Sequence, residues 1–294
     1  MAACPLCQST ATRIRWTGLP DRLFGTTDER FDVGACEACG SRFLAPLPPG
    51  ERLASYYPDG YWVGTADGGE QAGASQRGML EAYRRFVLRD HVRFVGRIVQ
   101  GQRASGKQVR VLDVGCGDGS FLQALGETEC VGMDMSGAAL RAAAARGIRG
   151  VQGTLSDGAL QPQSFSLVTA FHFLEHVYPP EPVLASMREL LQPGGDLVLQ
   201  VPNVRSWQAA LLGRWWGGLD VPRHLIDYSD RSLIQLLGRC GFSVVAVNHH
   251  CLRDNPTTLA NSLVPRLYPP ARIACGGADR GMAALFANLG YLAV

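Results

Sequence analysis

The chain has 294 residues, 46% hydrophobic and 18% charged, with a formal net charge of +2. That length holds one large domain and a small one, with apolar material enough for a real core. The near-neutral balance excludes a general basic field for nucleic acid, and no uncharged apolar run reaches the roughly 20 residues of a membrane-spanning helix.

Met1-Ala2-Ala3 leads straight into Cys4, without the pattern of a signal peptide. Nine cysteines in that context predict a reducing, cytoplasmic setting where metal ligation is favoured over disulfides. The first chain signals are two knuckles, Cys4-Pro5-Leu6-Cys7 and Cys36-Glu37-Ala38-Cys39, with residues 8–35 between them. Each offers two thiolates to one ion, so Cys4, Cys7, Cys36 and Cys39 are expected to hold a structural Zn2+ in a closed tetrahedron. Such a site supplies no catalysis; it holds together a segment too small for its own core. A redox role for one pair is the alternative, and the matched second pair argues against it. Between the knuckles, Arg13-Ile14-Arg15-Trp16 and Arg30-Phe31-Asp32-Val33 alternate as strands. Cys116, Cys130, Cys240, Cys251 and Cys275 show no pairing pattern and read as small core or loop residues.

Pro46-Leu47-Pro48-Pro49-Gly50 forbids a helix and closes the module. Next come Tyr56, Tyr57, Tyr61 and Trp62, which either pack on the main domain or form a lid whose hydroxyls reach a ligand, with Tyr61 the candidate. From Gln76 to Gln100, Met79, Tyr83, Phe86, Val87, Val92, Phe94, Val95 and Ile98 fit one broad helical face. The expected organisation is a zinc module over 1–50, an aromatic linker and lid helix over 51–104, and an α/β domain over 105–294.

Val109 to Leu122, VRVLDVGCGDGSFL, reads as a buried strand, a tight turn at Gly115, Gly117 and Gly119, and a helix start. Glycines suit such a turn because its backbone angles disfavour a Cβ and because a ligand can approach the exposed N–H groups closely. Asp113 closes the first strand, and Asp134 ends the next apolar run, where an acid can hold a ribose diol. Alternating elements follow: a helix over Ser136–Arg146, strands at Ile148–Gln152 and Phe165–Phe173, a helix over Pro179–Gln192, a strand at Asp196–Val201, a helix capped by Ser229-Asp230 and running to Arg239, and a sixth strand at Phe242–Val247. Sequential βα units predict a doubly wound α/β sheet with ligands at the strands' carboxyl ends.

The run VLDVGCGDG with the later Asp134 resembles the first motif of class I S-adenosylmethionine-dependent methyltransferases. Phe173-Leu174-Glu175-His176-Val177 and Leu190-Leu191-Gln192-Pro193-Gly194-Gly195 resemble further signatures of that family, over roughly residues 105–250. The resemblance implies a Rossmann-like methyltransferase sheet with S-adenosylmethionine held by Asp113, Gly115, Cys116, Gly117, Asp134, Met135, Thr154, Leu155, Phe171 and His172. An acid that often binds adenine after the third strand is replaced by Gly153-Thr154-Leu155, which leaves the backbone or Thr154. Together with the knuckles and the Tyr-rich segment, Val201-Pro202-Asn203 and Val221-Pro222-Arg223-His224-Leu225 look similar to bacterial sugar and natural-product methyltransferases, sugar C-methyltransferases above all. The long extra C-terminal domain of the latter is absent from this sequence.

S-adenosylmethionine supplies an activated methyl, and the protein aligns a nucleophile and excludes water. A proton must also leave some acceptors, with histidine the default base. Of six histidines, His224 is the expected general base, lying near Trp215, Trp216 and Arg223; His176 is structural, cofactor-side or catalytic, and His91, His249 and His250 carry no assigned role. Trp207, Trp215 and Trp216 suggest an apolar substrate wall, and Arg205, Arg214 and Arg223 suit phosphate or carboxylate groups. Residues 257–294 could cover the site, make an oligomer contact or lie on a membrane surface, and Gly290–Val294 could supply a last strand. The favoured acceptor is a small molecule. An RNA methyltransferase gripping nucleic acid through the cysteine module stays open, against the low charge, as does a non-catalytic partner protein that keeps the fold.

Overall fold

The computed structural model describes residues 3–58, 74–126, 129–249, 258–259 and 262–263. The expectations for Tyr61, Trp62, His250, Cys251, Cys275 and Gly290–Val294, and for the side chains of Met79 and Tyr83, fall outside the described residues.

Two sheets organise the chain. The first is antiparallel: β1 (Thr12–Pro20), β2 (Arg30–Cys36) and β3 (Arg42–Leu44) lie in order, and β9 (Ile226–Asp227) joins β3 from far along the chain. Arg42 faces Asp227 and Phe43 faces Ile226 across that last pair. The alternation read at residues 13–16 and 30–33 therefore marks genuine strands, whereas three-residue β3 and two-residue β9 are too short to show a period. A short helix, α1 (Gly50–Leu53), follows the proline-rich link.

The second sheet is wholly parallel, in the order β6-β5-β4-β7-β8. Its strands are β4 (Arg110–Val114), β5 (Glu129–Asp134), β6 (Arg149–Gln152), β7 (Phe165–Phe171) and β8 (Leu191–Gln200). Both faces are covered, so the central strands are apolar runs rather than alternations: every residue of β7 from Phe165 to Ala170 is buried. The helices are α2 (Ala74–Ala104), α3 (Ser120–Leu125), α4 (Gly137–Ala145), α5 (Pro180–Leu190), α6 (Trp207–Leu212) and α7 (Asp230–Arg239). This is the doubly wound Rossmann-like methyltransferase sheet expected.

Local chemistry sets the helix ends. Ser136 and Ser229 accept from the backbone N–H groups of Ala139 and Ser232, satisfying donors the helix leaves unpaired. Pro180 opens α5, where its missing N–H has no cost. Leu88, Val95 and Val99 of α2 bury against Val111, Phe121, Leu167 and Val198; of the expected stripe only Val95 is in that core, Val87, Val92, Phe94 and Ile98 pack partly buried against it, and Phe86 is exposed. A second cluster runs without a break from Cys4, Phe31 and Phe43 through Tyr56 and Ile226 to Leu184 and Met187. The antiparallel sheet is thus welded to the parallel one by shared core.

One strand is not found. Residues 242–249 have no regular structure, and Val245 and Val247 are 91% and 54% exposed. The apolar pattern there is compatible with a strand, but a strand also needs a ladder partner, and none exists among the described residues.

Candidate functional site

The carboxyl ends of β4, β5 and β6 form the first part of the site. Gly115, Gly117 and Gly119 all take positive φ (75°, 53° and 71°), as the turn after β4 requires. A Cβ on Gly119 would lie 3.0 Å from that of Ala143, and one on Gly115 would lie 3.1 Å from Phe173. The turn's donors are not exposed as expected. Gly115 and Cys116 N–H donate to the Met133 carbonyl, Gly117 N–H to Asp134 Oδ2 (3.0 Å), and Ser120 N–H to Asp118. The glycines therefore serve shape, and the β4–α3 turn is braced by its neighbour strand.

Asp113 is buried and accepts from Thr169 Oγ1 at 2.6 Å. Asp134 is buried too, and its Oδ1 accepts from Ser136 N–H at 2.8 Å. Burial pushes its carboxyl pKa up, and the N–H groups of Ser136 and Gly117 oppose that push. Next to it Met135 is 70% exposed, Leu155 is half-buried and Thr154 is exposed. An acid beside an apolar shelf at the tips of adjacent strands fits a ribose diol with a flat base above it. Thr154 is partly committed already, in a capping box with Asp157, so its backbone is the freer element for adenine. Cys116 is buried, and burial raises its thiol; it packs behind the turn, where a Cβ on Gly132 would strike its Sγ.

The second part lies beyond β7. Phe171 stacks edge-on with both Phe121 and His91, each at 4.8 Å. His91 of α2 hydrogen-bonds Gln200, which reaches His172 Nε2 at 3.3 Å; His172 in turn sits 3.2 Å from Glu175. The helix histidine left without a role is therefore part of the wall. His172 holds φ 53°, unusual for a residue with a side chain.

Glu175, His176 and His224 meet beyond the carboxyl end of β7, the first and last of them buried. The two imidazoles stack edge-on at 4.8 Å. His176 Nδ1 lies 3.1 Å from the Arg223 carbonyl and 3.0 Å from the Tyr57 hydroxyl. Tyr57 is thus part of this cluster, with its OH pKa pushed up by burial. Burial and the neighbouring His224 press His176 down to about 4, so it is neutral. His224 is the reverse case. Burial opposes its charge, but Asp227, Asp220 and Glu175 surround it and raise its pKa to about 9. Burial works against Glu175 as well, yet His172 and its companions hold its carboxyl low. A pKa above neutrality favours the protonated imidazole, so a general-base role for His224 requires that proton to leave first.

Two other expectations change. Arg223 is wholly buried, its guanidinium bound by Asp21 and Asp220 and by the Tyr56 carbonyl; a substrate anion has no access to it. Trp216 is buried in the core, while Trp207 and Trp215 are 63% and 54% exposed. Arg22 and Arg214 flank Trp215 at 4.5 and 5.3 Å.

At the far end of the antiparallel sheet, Cys4, Cys7, Cys36 and Cys39 bring their sulfurs within 4.8 Å of one another. Cys4 and Cys39 are 3.7 Å apart, Cys7 and Cys36 3.5 Å. The Cys39 and Ser41 hydrogen bonds lower the Cys4 thiol pKa against its burial. Four sulfurs of this spacing fit tetrahedral zinc.

Comparison with known proteins agrees with this geometry. The profile described as a methyltransferase domain matches residues 79–247, more than half of the chain. A ubiquinone biosynthesis O-methyltransferase of Saccharophagus degradans is 29% identical over 139 residues, 44% of this chain and 59% of that protein. One of the same name from Yersinia pestis is 32% identical over 124 residues, covering 38% and 51%. The chain thus spans only about half the length of the curated relatives it matches. A solved structure from Thermotoga maritima, described as a possible histamine N-methyltransferase, is 19% identical, covers 58% of this chain and 78% of its own, and superposes with a TM-score of 0.44.

Proposed function

This chain belongs to the methyltransferase-domain family, and from that premise we propose that it moves the methyl group of S-adenosylmethionine to a small-molecule acceptor in the cytoplasm. The favoured acceptor is a sugar nucleotide or a natural-product intermediate. The observation that carries the reading is the buried Asp134 at the tip of β5, facing the glycine turn after β4 and flanked by exposed Met135. Asp134 holds the ribose diol, Met135 and Leu155 line the adenine, the Thr154 backbone addresses its edge, and the turn from Gly115 to Gly117 with Asp113 behind it takes the methionine end. Phe171 and His172 bound the sulfonium. The acceptor lies against Tyr57, Glu175, His176 and His224. The cofactor brings an already activated methyl; the chain's own work is alignment and exclusion of water. The cysteine cluster holds a structural Zn2+ and takes no part in transfer.

Labelled S-adenosylmethionine incubated with the protein and host extract tests the reading. Label in nuclease-resistant small molecules is expected. Label in RNA would overturn the choice of acceptor, and failure of S-adenosylhomocysteine to bind at micromolar levels would overturn the cofactor assignment.

A further inference from the structure

We propose that Glu175, His176 and His224 form a second metal centre, separate from the cysteine cluster, that binds a divalent first-row transition cation. One ligand atom from each lies within 4.8 Å of the others. The three come from two loops that the backbone pins together: Leu225 N–H donates to the Glu175 carbonyl at 2.8 Å. Glu175 and His176 occupy a tight turn, Leu174–His176, directly after β7.

The two imidazoles are prepared in the same way. A carbonyl oxygen can only accept, so His176 Nδ1 donates to Arg223 (3.1 Å) and His224 Nδ1 to Gly218 (2.8 Å). That leaves Nε2 of each ring as the coordinating atom, the arrangement in which metal-binding histidines are commonly held by an outer carbonyl or carboxylate. His224 Nε2 stands 3.9 Å from Glu175 Oε1.

Glu175 supplies an independent indication. Its side chain is 0% exposed, and Oε2 has no hydrogen-bond partner among the described residues. Leaving a buried carboxylate oxygen unmet is costly, and a cation answers that need. Asp220 Oδ2 and Asp227 Oδ1, 4.0 and 3.6 Å from the His224 ring nitrogens, add negative charge around the position. On binding, the cation takes the place of the His224 Nε2 proton, which leaves to water. Two nitrogens and one oxygen suit zinc or a neighbouring cation, and three protein ligands leave coordination open. A substrate hydroxyl in the open position would ionise more easily; that last step rests on the methyl-transfer reading, whereas the cation site does not.

The test uses the full chain, stripped of metal under reducing conditions and dialysed against Zn2+ and, separately, Co2+. Two equivalents per chain are expected. The cobalt form should show a thiolate charge-transfer band for one equivalent and only weak visible bands for the other. Glu175→Gln and His224→Gln should each lose the second equivalent while keeping the thiolate band and S-adenosylhomocysteine binding, which report an intact fold. One equivalent in the unaltered protein would overturn the proposal, as would a second equivalent that survives both substitutions. Because cofactor binding is read separately, its failure would strike the methyl-transfer reading and leave the metal count to decide the second centre.

Discussion

Removing Asp21 from beneath Arg223 should weaken the fold in a pH-dependent way. Arg223 Nη1 and Nη2 donate to the two Asp21 oxygens at 2.9 and 2.7 Å, while Nε and Nη2 hold Asp220 at 3.1 and 2.6 Å. Both side chains of the Arg223–Asp21 pair are 0% exposed, and the guanidinium stacks 4.3 Å over Phe24. Deleting one partner of a buried pair leaves the other charge uncompensated, at about 3–5 kcal/mol. Arg223→Met, which abandons two carboxylates at once, belongs at the upper end. Asp21→Asn belongs below it, at about 1.5–3 kcal/mol, because Asp220 still faces Arg223 and what is lost is the charge-assisted part of two hydrogen bonds. With a urea slope of about 3 kcal/mol per molar, Arg223→Met should lower the unfolding midpoint by about 1 M or more. Burial pushes the Asp21 carboxyl up, but Arg223 prevails and holds its pKa below the ordinary carboxylate value. A group depressed in the folded state stabilises above its unfolded pKa, and that contribution fades as pH falls through the folded one. The Asp21→Asn penalty should therefore be full at pH 7 and shrink below about pH 4. Urea titrations at pH 7 and well below pH 4 decide it; a penalty under about 0.5 kcal/mol at neutrality, or one of equal size at both, would refute the account. The double variant should cost clearly less than the two singles summed.

Asp134→Ala should weaken S-adenosylhomocysteine binding by about 10-fold or more in calorimetry, because it removes a charged acceptor and also frees the Gly117 and Ser136 N–H groups. Gly119→Ala should destabilise by about 1–3 kcal/mol, since it forces a side chain to φ 71° against Ala143; an unchanged melting curve would be contrary. Cys36→Ser, or a strong chelator applied to the unaltered chain, should release zinc by elemental analysis and lower the thermal midpoint by several degrees. Retention of full zinc by the serine variant would exclude the four-cysteine ligand set.

The parts legible in sequence are those whose cause is local. A strand running into Gly115 and Gly117 must turn there, and two CxxC pairs predict the four-sulfur cluster that the fold assembles. The parts that stayed hidden depend on partners far along the chain. Arg223 looks like a surface cation until Asp21, 202 residues away, is found against it. Tyr57 reads as one member of an aromatic cluster, and only the path out of the proline-rich link sets it on His176. The state of His224 follows from two acids of its own segment, Asp220 and Asp227, and from Glu175, which only the fold brings against it. Phe242–Val247 has the composition of a strand without a described neighbour to make it one.

The two residues of β9 carry a consequence for how this protein can be taken apart. A cut after residue 50 would look harmless on paper, since the four-cysteine portion lies on one side and the Rossmann-like portion on the other. Yet the detached N-terminal piece would show solvent the unpaired edge of β3, a ready template for strand addition by other copies. The remaining piece would lose the neighbour that steadies Asp227, and with it the ground on which the His224 loop stands. Swapping this module for that of a relative is therefore not a change of accessory but a change to the ground under Glu175, His176 and His224.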